Sequence, residues 1–370
     1  IATGCYGGGK KEELKKDKGI DILIGNSGKG KIVELIRAYR DAMLENDGRI
    51  EDYLPPVKEE GEYENLFLSK PLDRSRAFVK IQDGCNQFCS YCIIPYVRGR
   101  IRSRKIEDCL TEIERLGQEG ISEIVLTGIH LSSYGLDFQN LSYEYASKIA
   151  ESGEALISLI EKIGEIPSIK RIRLGSLEPR VITENFVSRL KAVEGICPHF
   201  HLSLQSANDE VLKDMRRAYR LDTFKKAVQL INEEFENPAI TGDVIVGYPT
   251  ETEEQFLSGV EEIKKMKFAD IHVFPFSPRE GTEAAEYKLI SSEEMNKRLA
   301  ILHEVKQRLR FDFLTKQVGR QLEVLFESSE CGYMSGHSKN YVKVYSQGKN
   351  NNEVHKVTAK GLYLDGVIAE

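Results

Sequence analysis

Three cysteines fall within eight residues, Cys85-Asn-Gln-Phe-Cys89-Ser-Tyr-Cys92. Thiolates at i, i+4 and i+7 can converge on one iron–sulfur cluster when the backbone wraps around it. On a four-iron cluster three thiolates leave one iron without a protein ligand, open to chelation by a small molecule. The same spacing admits a zinc knuckle, which needs a fourth ligand, the nearest histidine in sequence being His130. It also admits a buried trio with no metal. The remaining cysteines are Cys5, Cys109, Cys197 and Cys331. An odd total with local clustering suits metal binding in a reducing compartment such as the cytoplasm better than a disulfide framework.

The trio must be positioned by what surrounds it. From about Arg74, short apolar runs alternate with amphipathic segments. The runs are Phe78 to Ile81, Ile124 to Leu126, Ile172 to Leu174, His201 to Leu204, Val244 to Val246 and Ile271 to Phe274. Helical periodicity lies between them, near 107–119, 153–165, 183–194, 222–235 and 252–266. Six β-then-α units in succession predict an α/β fold, a parallel sheet curled as a full or partial TIM-like barrel with helices outside. Chemistry in such folds gathers at the C-terminal strand ends, and the cysteine loop follows the first strand. Polar residues and glycines stand where several other strands end: Asp83-Gly84, Gly128, Ser176, Gln205 and Gly247.

The flanks differ in character. Residues 1–50 read as a helix-like stretch (Lys11 to Lys16), a strand (Ile20 to Ile24), a Gly-rich turn and a helix from about Lys31 to Leu44. Opening on Ile1-Ala2-Thr3-Gly4-Cys5, the chain reads as a fragment whose first α/β domain is truncated, with no secretory signal. A Pro-containing acidic linker spans 51–73, the barrel 74–290, a connecting helix 291–316, and a small antiparallel β domain 317–370. The turn Gly25-Asn-Ser-Gly-Lys-Gly-Lys31 approaches a phosphate-binding loop, but Ile32 stands where Ser or Thr would hold a metal.

Composition sets limits. The chain has 370 residues and a formal charge of −6, with no apolar run of the roughly 20 residues a spanning helix needs. The charge argues against a general polyanion binder but not against a local patch. Arg98, Arg100, Arg102 and Arg104, with Lys105, place five positive charges in eight residues. Beside the cysteine loop these are candidate RNA or cofactor contacts; the alternative is a solvated loop paired with Asp83. Residues 317–370 carry six basic and six acidic residues, so only Tyr333, Tyr341, Tyr345 and Tyr363 suggest base stacking there, against an equal reading as core.

These motifs together resemble a known family. The CxxxCxxC loop with Tyr91 before its third cysteine looks like the radical S-adenosylmethionine (SAM) superfamily. Tyr91-Cys-Ile-Ile-Pro-Tyr-Val-Arg-Gly-Arg-Ile-Arg-Ser-Arg104, Leu126-Thr-Gly-Ile-His130, Gly175-Ser-Leu-Glu-Pro179, His201-Leu-Ser-Leu-Gln-Ser206, Met215-Arg-Arg-Ala-Tyr219 and Asp243-Val-Ile-Val-Gly-Tyr-Pro-Thr-Glu-Thr252 resemble the methylthiotransferases. The pattern is most similar to the tRNA enzymes of N6-threonylcarbamoyladenosine, over nearly the whole chain, including a C-terminal domain like the TRAM RNA-binding module. The resemblance implies that Cys85, Cys89 and Cys92 hold a [4Fe-4S] cluster whose open iron chelates SAM. It implies SAM contacts at Tyr91, Gly128, Ser176, Glu178, Gln205, Arg217, Ile245 and Gly247. It further implies a second [4Fe-4S] cluster on three cysteines, of which only Cys5 is present, so that one cluster is expected in this chain. Reductive SAM cleavage would yield a 5′-deoxyadenosyl radical that takes hydrogen from C2 of the adenine, where a methylthio group is inserted. The implied partners are tRNA and a one-electron reductant such as flavodoxin or ferredoxin. Isopentenyladenosine in tRNA or a ribosomal-protein side chain are alternative substrates, and a non-catalytic cluster-containing RNA-binding protein is the alternative from another class.

Overall fold

The computed structural model describes residues 1–14, 16, 19–26, 28–44, 63–67, 75–138 and 153–370. At the start, β1 (Ala2–Thr3) pairs in parallel with β2 (Leu23–Ile24). Between them lie α1 (Gly4–Gly9) and α2 (Lys11–Leu14), and α3 (Ile32–Leu44) follows. The strand is shorter than the apolar run suggested, and α1 is not visible in the sequence because four of its six residues are glycine, a poor helix former. Most of the linker expected at 51–73 lies outside the described residues.

The central body follows the βα alternation. Its parallel strands are β3 (Arg76–Lys80), β6 (Glu123–Thr127), β7 (Arg171–Leu174), β8 (His199–Gln205), β9 (Ala239–Val246) and β10 (Asp270–Pro275); the short β4 (Gln82–Asp83) and β5 (Arg102–Ser103) form a separate antiparallel pair. They make two three-stranded sheets, β3-β6-β7 and β8-β9-β10. Isolated parallel bridges at Ile172–Ile196 and Leu177–Leu202 connect them, so the curl continues across the seam. Strands β3 and β10 are the free edges, which makes this a partial barrel.

Side-chain period decides what each face does. Ala77, Val79, Ile124, Leu126, Ile172, Leu174, Phe200, Leu202, Ile240, Val244 and Ile271 belong to the one large core, packed against the surrounding helices. Each such Leu, Ile or Phe contributes about 1.5–3 kcal/mol by leaving water. The alternate residues share the inner face. There the lumen carries Arg76, Phe78 and Lys80 on β3, Glu123, Val125 and Thr127 on β6, and Arg171 and Arg173 on β7. It continues with His199, His201 and Ser203 on β8, Thr241, Asp243 and Ile245 on β9, and His272 and Phe274 on β10. A closed barrel fills its interior with branched apolar layers; this one lines a chamber with polar groups.

The N-terminal end of the chamber is sealed. A 24-residue helix, Ser292–Thr315, packs on β10 and leads to a closed five-stranded barrel. The strands are β11 (Gln321–Glu330), β12 (Tyr333–Ser338), β13 (Lys343–Ser346), β14 (Val354–Tyr363) and β15 (Gly366–Ala369). Glu123 is fully buried at this end, with Arg173 Nε at 3.1 Å, Arg171 Nη1 at 3.5 Å and Arg76 Nε at 3.6 Å. Those arginines reach on into the small barrel. Arg171 donates to the carbonyls of His337 and Glu323, Arg173 to that of Lys339, and Arg76 pairs with Glu327. Tyr341 lies outside β13 at φ +66° and wedges between the rings of His199 and His337, at 4.7 and 4.6 Å. Tyr345 is buried and Tyr333 and Tyr345 both pack on Tyr363. Tyr345 is thus a core residue and Tyr341 a joint residue, while Tyr333 and Tyr363 stay half-buried.

Burial pushes the Glu123 carboxyl up, but the arginines outweigh it and hold the group below its ordinary value of 4.5. Its contribution is therefore complete above that value and fades as pH falls through the lower folded one. Glu123→Gln is expected to cost about 3–5 kcal/mol by leaving the arginines under-neutralised. Urea unfolding followed by circular dichroism should show this loss at pH 7 and a shallower acid limb in the variant.

Candidate active site at the open end of the barrel

The cysteine loop is shaped from its first turn. Gly84 sits at φ +71°, where a Cβ would lie 1.9 Å from the Arg100 carbonyl oxygen. Asp83 Oδ1 accepts the Gly84 N–H at 2.8 Å and Arg98 Nη1 at 3.0 Å, while Oδ2 accepts Lys80 Nζ at 2.8 Å. Burial pushes this carboxyl up, yet Lys80, the Gly84 N–H and Arg98 together hold it at about 2. The Gln82 amide donates to the carbonyls of Asp83 and Gly84, and its oxygen accepts the His130 N–H. At the far end, Ser90 Oγ donates to the Asp214 carbonyl at 2.8 Å and meets the Tyr248 hydroxyl at 2.9 Å. Of these anchors, the sequence places Asp83 and Gly84 at a strand end, with Asp83 also an ion-pair partner, but does not show Gln82, Ser90 and Tyr248, whose partners lie up to 158 residues away.

Between the anchors, Cys85 and Cys89 are buried and Cys92 is half-buried. Burial pushes the Cys85 thiol up to about 11 and raises Cys92. Arg217 Nη1 lies 3.2 Å from Cys89 Sγ, its guanidinium over the Tyr219 ring. Tyr91 packs against the apolar cluster of Val211, Met215, Tyr248, Phe276 and Ala284. Two sulfurs on one zinc, each at about 2.3 Å, stand at most about 4.6 Å apart. Among the described residues the one trio of donor atoms within 4.8 Å of each other is His201, Asp243 and His272, not these thiols. The expected fourth zinc ligand is also taken: His130 Nε2 is 2.9 Å from Glu178 and Nδ1 is 2.6 Å from Ser133. Three buried or half-buried thiols on one wrapped loop, whose sulfurs do not all lie within 4.8 Å of one another, fit a multi-iron cluster.

The other predicted positions separate into groups. Arg217 and Tyr91 join the thiols. Gly128 packs its α-carbon face onto Gln82, where a Cβ would meet the side chain at 3.0 Å. Gln205 ends β8 at φ +66°, beside a register shift that re-aims it. Ile245 packs at the edge of the Tyr248 cluster, and Gly247, at φ +72°, abuts Met295 and Ile290. Ser176 is exposed and lines a cavity at the lumen. Both Glu178 oxygens are engaged, one by His130 and one by Arg180. Burial raises that carboxyl, but these two bonds outweigh it and hold it well below the usual carboxylate range. Cys5 stands apart from the trio, its Sγ 3.2 Å from Arg98 Nε and 3.7 Å from Asn26 Nδ2.

The arginine run does not form one patch. Arg104 is 2% exposed, and its guanidinium is spent on Glu112, the Asn65 oxygen and the Asp108 carbonyl. It is therefore a structural residue, not an RNA contact. Arg98 ties Cys5 to Asp83, and Arg102 lies 3.8 Å from the same carboxylate. Of the four, Arg100 alone is exposed, resting on the Phe88 ring. Arg98 ends a short helix, Gly99 turns the chain at φ +74° and Arg102 begins a strand, so the backbone changes direction between the members and sends them to different partners, which charge counting could not reveal.

A six-stranded partial barrel with a three-cysteine loop at its open end defines a class, and residues 79–263 match the Radical SAM superfamily. The threonylcarbamoyladenosine tRNA methylthiotransferase MtaB of Bacillus subtilis is 34% identical over 352 residues, 94% of this chain and 74% of the relative. Its namesake from Thermotoga maritima is 32% identical over 377 residues, all of this chain and 80% of the relative. The tRNA-2-methylthio-N(6)-dimethylallyladenosine synthase of Desulforamulus reducens is 33% identical over 308 residues, 83% and 63% of the two chains. The chain belongs to the radical SAM methylthiotransferases, whose superfamily works with a [4Fe-4S] cluster and SAM. Among the described residues no helix is long and apolar enough to cross a membrane.

Two substitutions test the site's construction. Gly84→Ala should prevent the turn from closing, so that iron bound after anaerobic reconstitution falls to a small fraction of wild type while the far-ultraviolet spectrum is kept. Arg104→Gln leaves Glu112 buried without its partner and should lower stability by about 3–5 kcal/mol in urea unfolding.

Proposed function

We propose that this chain is a tRNA methylthiotransferase that inserts a methylthio group at C2 of N6-threonylcarbamoyladenosine beside the anticodon. The observation that carries the reading is the three-thiol loop held over the mouth of an open, polar-lined chamber. Its relatives of that name support the nucleoside. Cys85, Cys89 and Cys92 would hold the SAM-binding cluster, and Cys5 would contribute to the second. When bound, the cluster and SAM supply one-electron reductive cleavage and the methyl group.

The chain's own residues prepare the site for that chemistry. Asp83 and Gly84 set the loop's entry, and Ser90 and Tyr248 its exit, so three thiols stay preorganised. Arg217 offers a positive charge beside Cys89 without a competing carboxylate at hydrogen-bond distance. Tyr91 and Tyr219 close the apolar side and exclude water, which strengthens every electrostatic contact inside. Gln205, Ile245 and Gly247 end the strands beside the loop and are the proposed SAM contacts there, with Ser176 and Gly128 across the mouth. Glu178 acts in this account as a positioning residue that fixes His130 and Arg180.

The organisation follows from these roles: an N-terminal α/β segment over 1–50 carrying Cys5, a linker over 51–73, the barrel over 74–290, the helix over 291–316 and a TRAM-like barrel over 317–370. The enzyme works in the cytoplasm with a small one-electron reductant such as flavodoxin or ferredoxin. Arg100, exposed beside the loop, contacts an RNA phosphate.

Alanine at Cys85, Cys89 or Cys92 should abolish both the visible absorbance of the reconstituted protein and 5′-deoxyadenosine formation. Zinc bound in place of iron would overturn the cluster assignment. In cells lacking the protein, mass analysis of tRNA nucleosides should show the 2-methylthio form of N6-threonylcarbamoyladenosine gone and that of isopentenyladenosine kept; the reverse would reassign the substrate. Arg100→Gln should lower the slope of log affinity against log salt by about one, whereas Arg104→Gln should leave the slope unchanged.

A further inference from the structure

Below the mouth, the lumen carries a polar constellation that the cluster chemistry does not use. His201, Asp243 and His272 stand on adjacent strands, with Thr241 opposite His201 and Asp243 opposite His272 in register. Asp243 Oδ2 accepts from His201 Nε2 at 3.0 Å, and Oδ1 lies 3.4 Å from His272 Nδ1. His201 Nδ1 meets Thr241 Oγ1 at 2.8 Å, which fixes that ring. The two imidazoles lie stacked, centroids 5.1 Å apart. His272 is half-exposed, its second ring nitrogen without a partner among the described residues.

A cavity of about 500 Å³ adjoins the trio, between the barrel and the C-terminal domain. His201 and His272 line it with Arg173, His199, Arg310 and Lys343, against two acids, Asp270 and Asp365. Arg173 is spent on Glu123 and a backbone carbonyl, and Arg310 and Lys343 on Asp270 and Asp365, so the imidazoles are what the cavity wall offers a ligand beside the trio. Along the strands the trio is four residues before Gln205 on β8 and four before Gly247 on the β9 line, about 13 Å at 3.3 Å per residue. That is room for a nucleobase between the mouth and the trio.

Ring geometry then orients the base. C2 and N6 leave the six-membered ring from different edges, so a purine presenting C2 to the mouth directs its N6 chain away from it. We propose that His201, Asp243 and His272, with the cavity beside them, are the subsite that receives the N6 substituent of the target adenosine and selects a polar acylated amino acid over an apolar chain. Asp243 holds both imidazoles, and His272 presents its free nitrogen to the hydroxyl and carboxylate of that substituent. A dimethylallyl chain would desolvate these groups and return no hydrogen bond, which is how polar sites reject apolar analogues. This rests on the proposed substrate reading and adds the residues that choose it.

The test is equilibrium binding of the full chain to three anticodon stem-loops, by fluorescence anisotropy. They are identical except for adenosine, N6-threonylcarbamoyladenosine or isopentenyladenosine at the target position. Wild type should prefer the threonylcarbamoyl RNA by about tenfold or more. His272→Leu and the shape-conserving Asp243→Asn should bring that ratio toward one while affinity for the unmodified RNA stays unchanged. A ratio kept in both variants, or equal weakening on all three RNAs, would overturn the subsite. So would stoichiometric zinc or manganese that is lost in His272→Leu with the RNA ratio unmoved, since the trio would then be a cation site. Failure of wild type to bind any stem-loop would instead overturn the functional reading itself.

Discussion

One buried carboxylate organises the lower half of this molecule. Glu123 has no access to solvent, and an isolated charge there would be prohibitively expensive. Arg76, Arg171 and Arg173 neutralise it, and each brings surplus hydrogen-bond donors that must also be satisfied. Those donors end on Glu327 and on carbonyls of the C-terminal barrel. The small barrel is thus bound to the chamber floor because it completes the coordination of three arginines, and the floor is sealed because the barrel sits on it.

Sealing one end gives the other its chemistry. With the helices packed on the outer faces and ion pairs tying the floor to the small barrel, the mouth at the opposite end is where the cysteine loop stands. The cysteine loop closes over that mouth on Asp83, Gly84, Ser90 and Tyr248, so the thiols are fixed before any cofactor arrives. The chamber beneath stays open because its inner face carries His, Asp, Thr and Arg in place of interlocking aliphatic layers. A fold that elsewhere packs its centre solid here keeps room for a base.

Electrostatics at the loop divides labour among residues that look alike in the chain. Arg98, Arg102 and Arg104 all find carboxylates within the protein, and among the described residues Arg100 does not. The first three hold Cys5, the loop and the helix that carries Glu112 in one frame. The last is left to the solvent face, where phosphate contact costs no internal bond.

The period-2 and period-3.6 patterns determined the six βα units, because burial on one face is a local property that the chain writes residue by residue. The cysteine spacing likewise put three thiols at i, i+4 and i+7 on the loop after the first strand, a pattern that an iron–sulfur cluster, a zinc knuckle or a metal-free trio could each use. What the tertiary structure alone decided concerns pairs distant in sequence. Arg104 became structural because Glu112 and Asn65 converge on it. Tyr341 became a wedge because His199 and His337 flank it across two domains. His201, Asp243 and His272 lie on three different strands, far apart in sequence, and only the register of those neighbouring strands brings them together. Register depends on how sheets close and helices pack, a sum over the whole core that no local window contains.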